Sequence, residues 1–177
     1  MSQPKRDRRD WEEIPALIDT LAKGDVSQAW ASAHALIAIS SRRHARRLLQ
    51  IAAHGKSVHA RQAAIYAIWL LGEERGAEIL IRIGADIENE SEQTRSMAVE
   101  ALGNTVFRRR RKQEALARHL FDPSEDVKYS ALCALSFLQS IPPFIQTALR
   151  EKLTDPGRLD DERVIARMAN EILNRSS

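Results

Sequence analysis

Residues 127–135 read Val127-Lys128-Tyr129-Ser130-Ala131-Leu132-Cys133-Ala134-Leu135. Val127, Ala131, Ala134 and Leu135 fall at i, i+4, i+7 and i+8, one apolar stripe along a helix. The same stripe stands upstream at Thr94, Ala98, Ala101 and Leu102, and again at Ala60, Ala64, Ala67 and Ile68. A weaker copy runs Ala29, Ala33, Leu36, Ile37, and a last one Ile165, Ala169, Ile172, Leu173. Successive copies start 31, 34, 33 and 38 residues apart. Five residues before each start stand Gly24, Gly55, Asn89, Asp122 and Asp160. All are turn or capping types, and Gly and Asn also tolerate left-handed backbone. Helices with such alanine-rich stripes approach one another closely and bury the stripe only when copies stack.

A second helix fits inside each period. Its apolar sides are Ala45, Leu48, Leu49, Ala52; then Ile79, Leu80, Ile83; then Ala115, Leu116, Leu120; then Phe144, Ile145, Ala148, Leu149. The opening helix belongs to this second class, because Ile14-Pro15-Ala16-Leu17-Ile18 aligns with Ile141-Pro142-Pro143-Phe144-Ile145. Proline is expected in the first helical turn there, where its missing N–H would have had no partner. The chain thus reads as a half-repeat, four helix pairs and a final unpaired helix.

These residues resemble the short HEAT-like repeats of phycobilisome lyase subunits. The family's first helix carries Val-Arg-x-x-Ala-x-x-Ala-Leu-Gly after an Asp-Pro turn. Thr94-Arg95 through Ala101-Leu102-Gly103 matches it, as does Asp122-Pro123 followed by Val127-Lys128 through Ala134-Leu135. Ala60-Arg61 through Ala67-Ile68 fits with Trp69 where Gly is usual, and Trp30 takes the family's Arg position. Repeats and resemblance together predict an all-α α-solenoid of stacked antiparallel helix pairs, about five HEAT-like repeats and roughly ten helices. Residues 1–10 are expected to form a basic flexible tail and residues 11–177 a single solenoid domain.

Composition agrees. The 177 residues are 44% hydrophobic, enough for a folded core, while 5% aromatics and 7 Gly argue against barrels, sandwiches and doubly wound sheets. The single cysteine, Cys133, excludes an internal disulfide framework and cysteine-clustered zinc, and it is expected to be buried and inert. The charged opening MSQPKRDRRD lacks the apolar stretch of a secretory signal, and the nine-residue apolar run from Ala63 to Leu71 is too short to span a bilayer. A cytoplasmic location without membrane contact is expected.

Chemistry is sparse. Gly55-Lys56-Ser57 resembles the end of a phosphate-binding loop, but Gln50 replaces the first glycine and no strand precedes it. A turn with a capping serine explains it better. None of His34, His44, His54, His59 and His119 stands at i, i+4 from another, so no helical histidine pair holds a metal. The pairs Glu12-Glu13, Glu73-Glu74 and Asp160-Asp161 are expected near helix starts, where the dipole favours them. No nucleophile stands with a base. Neither an enzyme nor a cofactor nor a metal site is expected.

The basic clusters are the remaining signal. Arg42, Arg43, Arg46 and Arg47 share roughly 140° of arc opposite the Ala45 stripe. Arg108, Arg109, Arg110, Arg111 and Lys112 are consecutive. Both clusters belong to the second helices, which line the concave surface in the HEAT-like family, whereas Asp86, Glu88, Glu90 and Glu92 gather in a connection. The net charge of +3 conceals this separation. These nine cations are the candidate partner-binding residues, through bidentate contacts to carboxylates or phosphates. The expected function is a non-catalytic scaffold or adaptor docking an acidic partner protein on an Arg-rich surface. A nucleic-acid-binding HEAT-like protein is the alternative, weakened by poor interleaving of aromatics with the arginines. A lyase-like or chaperone-like assembly factor, implied only by the resemblance, is a further one.

Overall fold

The structure, a computed structural model, describes residues 8–39, 45–72, 76–104, 109–138, 140–154 and 161–175. Ten helices and no strand occur among them: α1 (Arg8–Lys23), α2 (Val26–Ala38), α3 (Ala45–His54), α4 (Val58–Leu71), α5 (Ala77–Ala85), α6 (Glu92–Asn104), α7 (Arg109–His119), α8 (Glu125–Ser136), α9 (Pro143–Thr154) and α10 (Asp161–Asn174). The fold is the all-α helical repeat that the stripes predict. It divides into two compact units, Met1–Glu73 and Glu74–Ser177.

The repeating turns fix the pairing. Gly24-Asp25, residues 55–57, residues 86–91 and residues 120–124 each join a second-class helix to the first-class helix that follows, and it is these helices that pack most closely in sequence order. Short connections make antiparallel neighbours. The packed pairs are therefore α1 with α2 and α3 with α4 in the first unit, and α5 with α6, α7 with α8 and α9 with α10 in the second. This corrects the register: the first unit holds two complete pairs and the second three, where the stripes read as four pairs flanked by two half-repeats. Within the first unit α2 also packs on α4 and α1 on α3. Within the second, α6, α8 and α10 form one layer and α5, α7 and α9 the other.

Capping follows the sequence closely. Asp25 accepts from the Gln28 amide at 2.8 Å while the Gln28 side chain accepts from the Asp25 amide at 3.0 Å, a reciprocal capping box on α2. Ser57 caps α4 by accepting from the Ala60 amide at 3.3 Å, and Ser91 caps α6 by accepting from Thr94 at 3.2 Å. Gly24 and Gly55 serve close approach rather than left-handed backbone. A Cβ at either would stand 2.6 Å from the carbonyl oxygen four residues back. The left-handed glycine among the described residues is Gly72, with φ 60°, closing α4.

The core is the set of stripes. Ala60, Ala64, Ala67, Ile68, Thr94, Ala98, Ala101, Leu102, Val127, Ala131 and Leu135 are all buried, as are Leu48, Ala52, Leu80, Leu116, Ile145 and Leu149. Small side chains let α6 and α8 meet so closely that a Cβ on Gly103 would lie 2.5 Å from the Ala134 Cβ. Three expectations need correction. α1 runs from Arg8 to Lys23, so Pro15 lies inside the helix rather than in its first turn. Proline is tolerated there on the exposed side, although its ring removes one ladder bond. Phe144 is exposed rather than buried, because the Ile145–Leu149 side of α9 is the one that packs. Cys133 is half-buried, not enclosed.

Candidate functional site

Five of the nine expected cations fall on described side chains. Arg42, Arg43 and Arg108 lie outside the described residues, as does the side chain of Arg109 at the start of α7. In the first unit, Arg46 and Arg47 are exposed on α3. Arg47 reaches Asp19 of α1 at 3.5 Å, and Lys23 stands 3.9 Å from the same carboxylate. Ile18, Asp19, Arg47, Ile51 and His54 line the shallow groove between these two helices.

In the second unit α5, α7 and α9 carry exposed arginines, and on the other layer α10 carries exposed Arg167. Arg111 bridges two of these helices, donating to Glu78 of α5 at 2.8 Å. Arg110 pairs with Glu114 one turn along α7 at 2.9 Å. Lys112 turns the other way: its Nζ donates to the Gly103 carbonyl at 3.0 Å and caps the C-terminus of α6. Arg82 on α5, Arg118 on α7 and Arg150 on α9 are exposed, and none pairs with a described carboxylate. Between α5 and α7 runs a groove lined by Glu78, Ile79, Ile81, Arg82, Ala85, Asp86 and Arg111. Its walls are aliphatic, and its rim holds the guanidiniums of Arg82 and Arg111 together with the carboxylates of Glu78 and Asp86. The unit thus offers bidentate donors beside apolar surface, an arrangement suited to a protein carboxylate flanked by hydrophobic groups.

Behind this layer lies a buried polar cluster. Arg95 on α6 donates to Asp122 at 2.6 Å, with both side chains at most 5% exposed. The second Asp122 oxygen accepts from the Ser124 amide at 2.9 Å. The resemblance placed the Arg of one repeat and the Asp of the next turn in the sequence, and the structure joins them. His119 is buried nearby, and burial pushes its imidazole below the usual value of 6.5, partly opposed by the Asp122 carboxylate and reinforced by Arg95 and Arg118. Lys128, at the Arg95 position of the next repeat, pairs with Glu125 instead.

Two clusters were not legible in the sequence. In the first unit Tyr66 sits at the centre of a ring group, edge-on to Trp30 and His34 at 5.3 Å and to Trp69 at 5.8 Å. Trp69, standing where Gly is usual, belongs to this group. In the second unit Phe121 and Phe144 are exposed beside one another's helices, with Ala117 and Ala148 between them. Helical spacing alone assigns Phe144 to the stripe; only the packing of α9 reveals that it faces outward. Among the described residues no three His, Cys, Asp or Glu side chains group to hold a metal ion, and no helix is long and apolar enough to cross a membrane.

No family model and no curated protein sequence matches the chain. Among solved structures it is similar to the complex of CpcE and CpcF of phycocyanin lyase from Nostoc sp. PCC7120, with a TM-score of 0.72 and 19% identity over 92% of this chain and 98% of that one. At that identity the likeness establishes the fold, a helical repeat of the lyase type. It also corrects the expectation that the chain is not an enzyme. That exclusion rested on a missing nucleophile–base motif, and a phycocyanin lyase has this same fold, so the missing motif excludes nothing.

Proposed function

We propose that the chain is a partner-binding subunit with a lyase-like role, docking an acidic face of another protein on the exposed arginines of its second helices. The observation that carries this reading is the layer of α5, α7 and α9, with Arg82, Arg110, Arg111, Arg118 and Arg150 exposed on it. Of these, Arg82, Arg118 and Arg150 have no carboxylate partner among the described residues, and Arg111 has only an exposed one, Glu78. Exposed ion pairs of this kind are worth about 0–1 kcal/mol, so a partner carboxylate exchanges readily for Glu78. Arg46 and Arg47 on α3 are candidate binding residues of the first unit, and Arg42, Arg43, Arg108 and Arg109 are candidates from the sequence alone. Lys112, committed to the α6 carbonyl, serves the fold instead. The solved relative, itself a complex of two proteins, supports a protein partner.

Affinity capture from the native source, with and without nuclease and read by mass spectrometry, tests the reading. Arg82→Glu combined with Arg111→Glu should lower recovery of an acidic partner at least tenfold while circular dichroism stays unchanged. Unchanged recovery would sink the proposal, and recovery abolished by nuclease would replace the protein partner with nucleic acid.

A further inference from the structure

The groove between α7 and α9 differs from the one between α5 and α7. Glu114, Ala117, Arg118 and Phe121 fall at i, i+3, i+4 and i+7, a single side of α7 continued into the turn after it. Phe144 and Ala148 face them from α9, one turn apart. Phe121 is 47% exposed and Phe144 40%, although both are large enough to belong in a core. The floor is two phenyl rings and two methyl groups; only Glu114 and Arg118 are charged. Glu114 is already neutralised by Arg110 at 2.9 Å. Arg118 has no ion pair among the described residues. The net unmet charge at the edge of this apolar floor is therefore one cation.

We infer that this groove takes an acidic amphipathic helix of the partner protein, its apolar anchor set between Phe121 and Phe144 and a carboxylate on Arg118. The inference rests on the partner-binding reading above and names where and how the partner is held. An extended strand is a poor occupant, since no sheet edge stands among the described residues to pair with it. A helix laid in the furrow between two helices packs its side-chain ridges there as in any helical bundle. Charge selects its sign: Arg118 is the unmet cation at this edge, so an acidic flank is attracted and a basic one repelled.

Fluorescence anisotropy on the full chain tests this with labelled helical peptides of about 16 residues, roughly 24 Å long. One carries Leu on one face and Glu on its flanks; the second replaces Glu with Lys; the third replaces Leu with Ser. The Glu/Leu peptide should bind best. Phe121→Ser with Phe144→Ser should weaken it at least tenfold, and Arg118→Glu should transfer preference to the Lys peptide. Both sites are solvent-facing, and a matching melting temperature confirms that the variants fold. Indifference to either set of substitutions, no binding at about millimolar peptide, or displacement by a single-stranded oligonucleotide overturns the inference. So does sedimentation evidence that the two phenylalanines instead hold a second copy of the chain. In partner capture the two proposals separate. Recovery lost with Arg82 and Arg111 but kept without the phenylalanines removes the groove and leaves the charged surface; the opposite result removes the surface.

Discussion

His119 is an ionisable group kept in a place that favours its neutral form over the imidazolium. It is 5% exposed at the end of α7, with Arg95 reaching in from α6, Asp122 from the following turn and Arg118 from its own helix. Burial is the leading cause of its lowered pKa. Because the folded value lies below the 6.5 of a free imidazole, the unfolded chain takes up the proton first as acid is added. The stability tied to His119 is fully present above about pH 6.5 and is lost as pH falls toward the folded value. Melting temperatures of the wild type should drop between about pH 7 and pH 5, and His119→Gln should flatten that drop. A parallel slope in the variant would place the acid sensitivity elsewhere. The neighbouring Asp122 is held for a different reason. It receives the Arg95 guanidinium and the Ser124 amide, so its charge is hydrogen-bonded on both oxygens.

At the scale of helices, closeness is the governing quantity, and Gly103 states it most sharply. An alanine there would gain helix propensity of roughly 0.5–1 kcal/mol. Its Cβ would also stand 2.5 Å from the Ala134 Cβ, far inside normal contact, so α6 and α8 would have to separate. Overpacking of this kind costs about 1–3 kcal/mol, which wins. Gly103→Ala should therefore destabilise the chain in urea titration; a gain in stability would show that the helices have room. The stripes made this much readable beforehand, because Ala98, Ala101, Ala131 and Ala134 declare by spacing which sides meet. What spacing does not carry is the neighbour on the second side of a helix. Phe144 reads as core by position, yet α9 turns Ile145 and Leu149 inward. Lys112 reads as part of a basic surface, yet it caps α6, because the α6 C-terminus ends within its reach. The length of α1 is hidden in the sequence because residues 8–13, charged except for Trp11, give no stripe, and Pro15 reads as a beginning.

At the scale of the chain, charge and repetition act separately. The +3 total is small because the arginines of the second helices offset carboxylates gathered mainly in turns and helix starts. The candidate site could be found in the sequence only as a class of helix; which arginines remain available depends on partners such as Glu78 and Glu114 supplied by other turns. Repetition has a further consequence through the Arg95–Asp122 pair. Arg95 belongs to the α5–α6 pair and Asp122 to the α7–α8 pair, so this buried ion pair crosses a repeat boundary inside the second unit, as the exposed Arg111–Glu78 pair also does. In a linear array, whether neighbouring modules melt together depends on how strongly adjacent modules are coupled relative to their own intrinsic stability. Removing one partner of a buried ion pair costs about 3–5 kcal/mol, and here that loss falls on the coupling. Arg95→Ala should accordingly do more than lower the melting temperature. Calorimetry should find the van't Hoff enthalpy falling below the calorimetric one, the mark of modules that have ceased to unfold as one. A lower but equally sharp transition would mean that alanine packing alone makes the array cooperative. On this expectation the buried pair couples two adjacent repeats into one thermodynamic unit.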